Sequence, residues 1–204
     1  MTAHAFNIAS GAEVVPVNCF EPLDLEAVFA RTAPVEVDLG CAEGSFLASL
    51  AAANPERNFL GIEKQKARIR SACRKIEQRG LTNAKVLRFE ISLALSELLA
   101  GDSVTAFHLM FPDPWPKRRH SSRRLVTAKF LSQLNRALVD GGLLHVATDD
   151  PAYFSQIRGY AAAAPNFVEV PWASSPAMSK FEKMFTSRGI AIHRLSLRKI
   201  SPVT

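Results

Sequence analysis

The chain has 204 residues, of which 48% are hydrophobic and 22% charged. These are globular proportions that exclude a disordered chain. No run reaches the roughly 18 apolar residues of a membrane span, and the N-terminus lacks the basic-then-apolar order of a signal peptide. Lys and Arg number 25 against 19 Asp and Glu, a net +6 that is unevenly spread: residues 64–79 (KQKARIRSACRKIEQR) carry a net +6 and residues 117–124 (KRRHSSRR) a net +5, which leaves the rest of the chain at −5.

Residues 1–33 read as a short N-terminal extension with one short helix near 23–31, for which Asp24 is a cap. From residue 34 to 204 the pattern is that of a single domain. VEVDL (35–39) is an apolar strand that runs into Gly40, and FLASLAAA (46–53) has helix composition. NFLGIE (58–63) is a strand, followed by the basic helix 64–79, with Ile69, Ala72, Cys73 and Ile76 as its buried stripe. AKVLRF (84–89) is a strand, LALSELLA (93–100) a short helix and VTAFHLMF (104–111) a strand. A Pro-rich basic loop covers 112–122. Helix 125–138 closes at Gly141-Gly142, strand LLHVAT covers 143–148 and helix 151–164 follows. FVEVPW (167–172) and IAIHRLSLRK (190–199) are strand-like and suit an antiparallel edge. Five near-continuous apolar strands with intervening helices predict a doubly wound α/β domain of Rossmann-like type, its sheet mostly parallel. Cys19, Cys41 and Cys73 show no C-x-x-C spacing, and the five histidines form no H-x-x-x-H, so no metal is expected. His108 and His145 fall inside strands and read as core residues.

Ligands of such a sheet bind at the carboxyl ends of its strands. There the first strand gives Asp38-Leu39-Gly40-Cys41-Ala42-Glu43-Gly44. Gly40 allows a tight turn and Gly44 allows close packing where the helix begins, but Ala42 puts a methyl where a dinucleotide's pyrophosphate would approach. Asp38 suits a cationic ligand better than two phosphates. Glu63 ends the second strand, placed to accept from a ribose diol, and Glu90 ends the third, near an adenine. The set fits S-adenosyl-L-methionine better than a nicotinamide dinucleotide. After the fourth strand comes FPDPWPKRRHSSRR (111–124). Three prolines stiffen this loop, so Asp113 sits in a rigid frame. Trp115 offers a flat face, and the cations that follow suit a phosphate backbone.

FPDPWPKRRH, together with VDLGCAEG, FLGIE and VATD, resembles the bacterial tRNA (guanine-N7-)-methyltransferases, and SKFEKMFTSRGIAIHRLSL resembles that family's T-x-[FY]-E segment with its final strand. The likeness covers about residues 34–198. It implies a cytoplasmic enzyme, monomeric or homodimeric, that moves a methyl group from S-adenosyl-L-methionine to N7 of a guanosine in the tRNA variable loop, at tRNA position 46. It implies that Asp38, Gly40, Glu63, Glu90 and Asp113 bind the donor and that Asp113 also belongs to the catalytic centre. Asp38 stands where the family usually has Glu, and Glu90 where it often has Asp. Lys117, Asp149, Ser179, Phe181 and Glu182 would bind substrate, with Ser179 in place of Thr. Arg118, Arg119, His120, Arg123 and Arg124 would touch the tRNA. Two rival readings are an amino-group methyltransferase, since Asp113-Pro114-Trp115 is near D-P-P-[YFW], and a non-catalytic RNA-binding module of the same fold. A dehydrogenase is a more distant third.

Overall fold

A computed structural model describes residues 6–116, 118–173 and 177–201. Nine strands form one sheet: β1 (Phe6–Ser10), β2 (Glu13–Pro16), β3 (Val35–Leu39), β4 (Asn58–Glu63), β5 (Ala84–Arg88), β6 (Val104–Met110), β7 (Leu138–Thr148), β8 (Phe167–Val170) and β9 (His193–Lys199). Their order is β1-β2-β5-β4-β3-β6-β7-β9-β8. The central β5-β4-β3-β6-β7 set is parallel. β9 lies antiparallel to both β7 and β8, which makes the expected antiparallel edge. The chain leaves β3 for β4 on one side and later returns to β6 on the other. The crevice of this open sheet therefore lies between the carboxyl ends of β3 and β6.

Every residue of β3 and β4 is buried, as near-continuous apolar runs require of strands covered on both faces. Alternation sorts their side chains. Val35, Val37 and Leu39 face a core shared with α1 (Leu25–Phe29), α5 (Ala128–Ala137) and α6 (Pro151–Ala162). The opposite face packs under α2 (Ser45–Ala53) and α3 (Lys66–Gln78), with Phe46, Leu47, Ile69, Ala72 and Ile76 against Phe59 and Val86. Asp24, Thr127 and Asp150 cap α1, α5 and α6, accepting from the amides of Ala27, Phe130 and Tyr153 at 3.0, 3.2 and 2.6 Å. Each such cap is worth about 1 kcal/mol. Among the described residues, no helix is long and apolar enough to cross a membrane.

Three segments differ from the sequence reading. Residues 1–33 hold the expected helix but also β1 and β2, and β2 extends the sheet beside β5. Only a four-residue EVVP and a Ser-Gly turn announce them. Within 93–100 the expected helix is one turn, α4 (Ile91–Leu93), that widens into a π-turn at Ala94–Leu98. Arg136 of α5 reaches in to donate to the carbonyls of Leu95 and Leu99 at 2.5 and 2.8 Å, which answers groups a regular helix would have used. Finally, α5 stops at Ala137 and β7 begins at once. Gly141-Gly142 lies inside β7 at an irregular register, where a Cβ on Gly142 would sit 2.8 Å from the Val139 carbonyl oxygen.

Candidate active site

Asp38 comes near the end of β3 and points to the α2/α3 face. It is 3% exposed, and its Oδ2 is buried with no hydrogen-bond partner among the described residues. Burial pushes the carboxyl up to about 7; the charge of His108 acts against this and that of Glu63 adds to it. Glu63, also buried, ends β4. Its Oε1 accepts from the Gln65 amide at 2.9 Å, and Arg68 lies 3.4 Å from its Oε2, so it anchors the start of α3. Between the two acids, Gly40 (φ +81°) and Cys41 both donate from their amides to the Ile62 carbonyl at 2.9 and 3.0 Å, turning the chain back over β4. Gly44 (φ +70°) then starts α2 where a Cβ would lie 2.6 Å from that of Ala72 in α3. Glu90 is exposed and caps α4, accepting from the Leu93 amide at 2.9 Å, so it shapes the turn beyond β5.

The loop after β6 is held in a strained form. Phe111 (φ 55°) and Trp115 (φ 42°) both adopt left-handed backbone, at about 1–3 kcal/mol each for residues other than Gly. Three sets of contacts hold it. The Phe111 amide donates to the Ala147 carbonyl of β7 at 2.7 Å, and the Phe111 ring lies 6.0 and 5.3 Å from those of Phe181 and Phe185 in α7 (Lys180–Ser187). Arg124 donates from Nε to the Pro114 carbonyl at 2.7 Å, reaches Gln156 Oε1 of α6 and lies 4.9 Å over the Tyr153 ring. Arg123 lies 5.0 Å over the Trp115 ring. Asp113, between the two strained residues, is exposed, its Oδ1 3.5 Å from the Trp115 amide. Arg119 is exposed as well. Lys117 and the side chains of Arg118 and His120 lie outside the described residues.

Beyond β7, Asp149 is half-buried and makes no hydrogen bond or ion pair among the described residues; its neighbour Asp150 is consumed as the α6 cap. Ser179 is buried and caps α7, accepting from the Glu182 amide at 3.0 Å. Glu182 pairs with Arg194 of β9 at 2.6 Å, while Phe181 is 48% exposed. Because β3 to β7 run parallel, Asp38, Glu63, Glu90, Asp113 and Asp149 all lie along one edge of the sheet.

Two features escaped the sequence reading. Arg124, for which the charge run suggested a nucleic-acid contact, also braces the frame of the loop through Pro114, Gln156 and Tyr153. Below Asp38 on its face, a polar row with a buried centre crosses the sheet: Arg57 pairs with Glu36 at 2.8 Å, Glu36 meets His108 at 2.7 Å, the His108 and His145 rings stack at 5.3 Å, and His145 meets Ser196 at 2.9 Å. The one signal for this row was polar residues inside four apolar strands.

The site's chemistry follows from this geometry. A buried, unpartnered carboxylate beside a second acid wants a cation. The strained acidic-aromatic loop at the same edge gives a nucleophile or base a fixed neighbour.

The chain matches the model of a family described as "Putative methyltransferase" over residues 32–196. It is 35% identical to a tRNA (guanine-N(7)-)-methyltransferase of Syntrophotalea carbinolica, over 98% of this chain and 88% of that one. With the enzyme of the same name from Nitrosomonas eutropha it shares 36% identity over 87% and 82%. Its fold is similar to the crystal structure of the antibiotic-resistance methyltransferase Kmr, with a TM-score of 0.63 and 23% identity over 95% of this chain and 98% of that one.

Proposed function

The chain belongs to the tRNA (guanine-N(7)-)-methyltransferase family, and from that membership we infer how its residues divide the reaction. The methyl donor is S-adenosyl-L-methionine, and the acceptor is N7 of a guanosine in the tRNA variable loop, at tRNA position 46. The observation that carries the donor assignment is the buried Asp38 Oδ2 that lacks a partner, which fits the donor's ammonium and sulfonium charges. Glu63 takes the ribose, the Gly40 turn gives the donor room, and Glu90 fixes the turn beside the adenine. Cytoplasmic work as a monomer or homodimer accords with a tRNA substrate.

Guanine N7 has a free lone pair, so no proton has to leave before attack. The N7–CH3 bond forms as the S–CH3 bond breaks, and the positive charge moves from sulfur to the purine. Alignment supplies much of the acceleration. Asp113 and Asp149 accept from the guanine N1–H and exocyclic amine and favour the charge that develops on the ring. Adenine offers the wrong pattern on that edge and is rejected. A guanine engaged in tertiary pairing has to be turned out first, at a few kcal/mol. The Ser179-capped turn holds Phe181 near the loop. Lys117, Arg118, Arg119, His120 and Arg123 are the loop's contacts to the tRNA.

The test is incubation with labelled methyl donor and unmodified tRNA, then mass analysis of the digested RNA. 7-Methylguanosine at one variable-loop position is expected. A methylated exocyclic amine, or donor binding with no transfer, would replace this reading with the amino-group or non-catalytic one. Asp113→Ala is expected to abolish transfer in the same assay while much of the donor affinity remains.

A further inference from the structure

Within the first basic cluster, Arg68 pairs with Glu63 of the site above, and the fold joins the other cations to that site as well. Lys66, Arg70, Arg74 and Gln78 follow one another at four-residue steps along α3, and all four are exposed. Such steps rise about 6 Å each along one side of a helix. The buried side of α3 is the apolar stripe Ile69, Ala72, Cys73 and Ile76, so the charges are left to face outward.

Beside this row lies a groove of about 580 Å³. Ser71, Arg74, Lys75 and Gln78 of α3 form one wall, and Lys180 of α7 lines it too. Glu43 is the single acid among its lining residues. Lys75 is fixed in place, donating to the Glu43 carbonyl at 2.7 Å and the Ser45 hydroxyl at 2.9 Å. The groove is thus built from the same chain turn that follows Gly40. It is also tied to the Asp113 loop: α7 contributes Lys180 to the groove while its Phe181 and Phe185 lie on Phe111.

We propose that this groove, with the Lys66–Arg70–Arg74 row, is a second seat for the tRNA backbone. It holds sugar-phosphate beside Lys180 at the start of α7. Three cations, two hydroxyls and an amide are the donors that phosphate oxygens use, and they carry position without base sequence. α7 borders both the Asp113 loop, through Phe181 and Phe185, and the groove, through Lys180, so one RNA strand bound at Asp113 can meet the loop cations and the groove together. The inference rests on tRNA being the substrate.

The experiment measures tRNA binding against salt concentration for the full chain, with donor binding in parallel. The variants are Arg74→Ala combined with Lys180→Ala, and Arg70→Glu alone. Lys75 is left in place because it braces the donor turn. The double variant is expected to bind unmodified tRNA about tenfold more weakly at low salt. The slope of log affinity against log salt falls in size by about one and a half, as for two lost phosphate contacts. Arg70→Glu weakens binding in the same direction, and the donor Kd stays at the parent value in all. Parent-like tRNA affinity and slope in both variants, with Arg123→Ala still weakened, would overturn the second seat and leave the methyl-transfer reading standing. Failure of the parent protein itself to bind or methylate tRNA would remove both.

Discussion

Glu36 Oε2 lies 2.7 Å from His108 Nε2, both side chains being about nine-tenths buried, and Glu36 stands two residues before Asp38 on the same face of β3. Burial works to raise the Glu36 carboxyl, but the hydrogen bond and charge of His108, followed by Arg57, hold it below the usual range. Removing one member of a buried pair costs about 3–5 kcal/mol, because the other is left without compensation. Glu36→Gln is therefore expected to destabilise the fold by some kcal/mol in urea unfolding at pH 7. The pair's contribution is fully present above the ordinary Glu value of 4.5 and is lost as pH falls through the lowered folded value. Equal stability of Glu36→Gln and parent at pH 7 would show the pair to be idle.

Asp38 has the opposite sign. Its carboxyl stands at about 7, above its ordinary 3.8, so the folded chain keeps a proton that the unfolded chain has released. Asp38 thus favours folding below pH 3.8, and that support is lost as pH rises through about 7. The shift corresponds to up to about 4 kcal/mol. Asp38→Asn, which needs no ionisation, is expected to be more stable than the parent at pH 8 and to match it near pH 4, while its donor binding collapses. The parent's donor affinity should climb with pH until about 7. Denaturant curves and calorimetry at both pH values check this; a donor affinity independent of pH would detach Asp38 from the cation.

The sheet was legible because β3, β4, β5, β6 and β7 are written as mostly apolar runs, and burial on both faces leaves few other sequences. The acids at their ends were legible for a related reason: a carboxylate that stops such a run has to face a ligand, water or a cation. β1 and β2 were not, since a two-stranded flap of four or five residues carries almost no periodic signal. Nor was the different packing of Arg123 and Arg124. Adjacent arginines look alike in sequence, and only the fold sends one over Trp115 and the other under Pro114. Lys117 matched the family pattern and lies outside the described residues.

Gly44 joins the donor turn to helix packing. Its φ of +70° disfavours any side chain, and a Cβ would sit 2.6 Å from the Cβ of Ala72 and 2.9 Å from its Cα. Part of that contact is backbone of α3, so it is relieved only by moving α2 from α3. Gly44→Ala is expected to cost about 1–3 kcal/mol in stability and to weaken donor binding, since Gly40 and Gly44 flank one turn. Ala72→Gly in the same chain opens the space and should recover part of both losses. No recovery in the double variant would mean that strain in the backbone, and not the clash, sets the cost.

Arg123 and Arg124 are expected to fail in different assays. Arg124 ties Pro114 to Gln156 and Tyr153, so Arg124→Ala releases the frame in which Phe111 and Trp115 hold their left-handed backbone. Asp113 then samples many positions. The expected result is a kcat lower by tenfold or more, with tRNA affinity and its salt slope near the parent's. Arg123 is exposed and touches Trp115 from outside. Arg123→Ala is expected to spare kcat, to raise the tRNA KM and to reduce the salt slope by about 0.7–0.9, the value of one phosphate contact. Lysine at 124 keeps the charge but loses the planar fork that Pro114 and Gln156 share, so Arg124→Lys should resemble Arg124→Ala in kcat. A full rescue by lysine would mean that charge alone matters there and that Arg124, like its neighbour, meets the RNA.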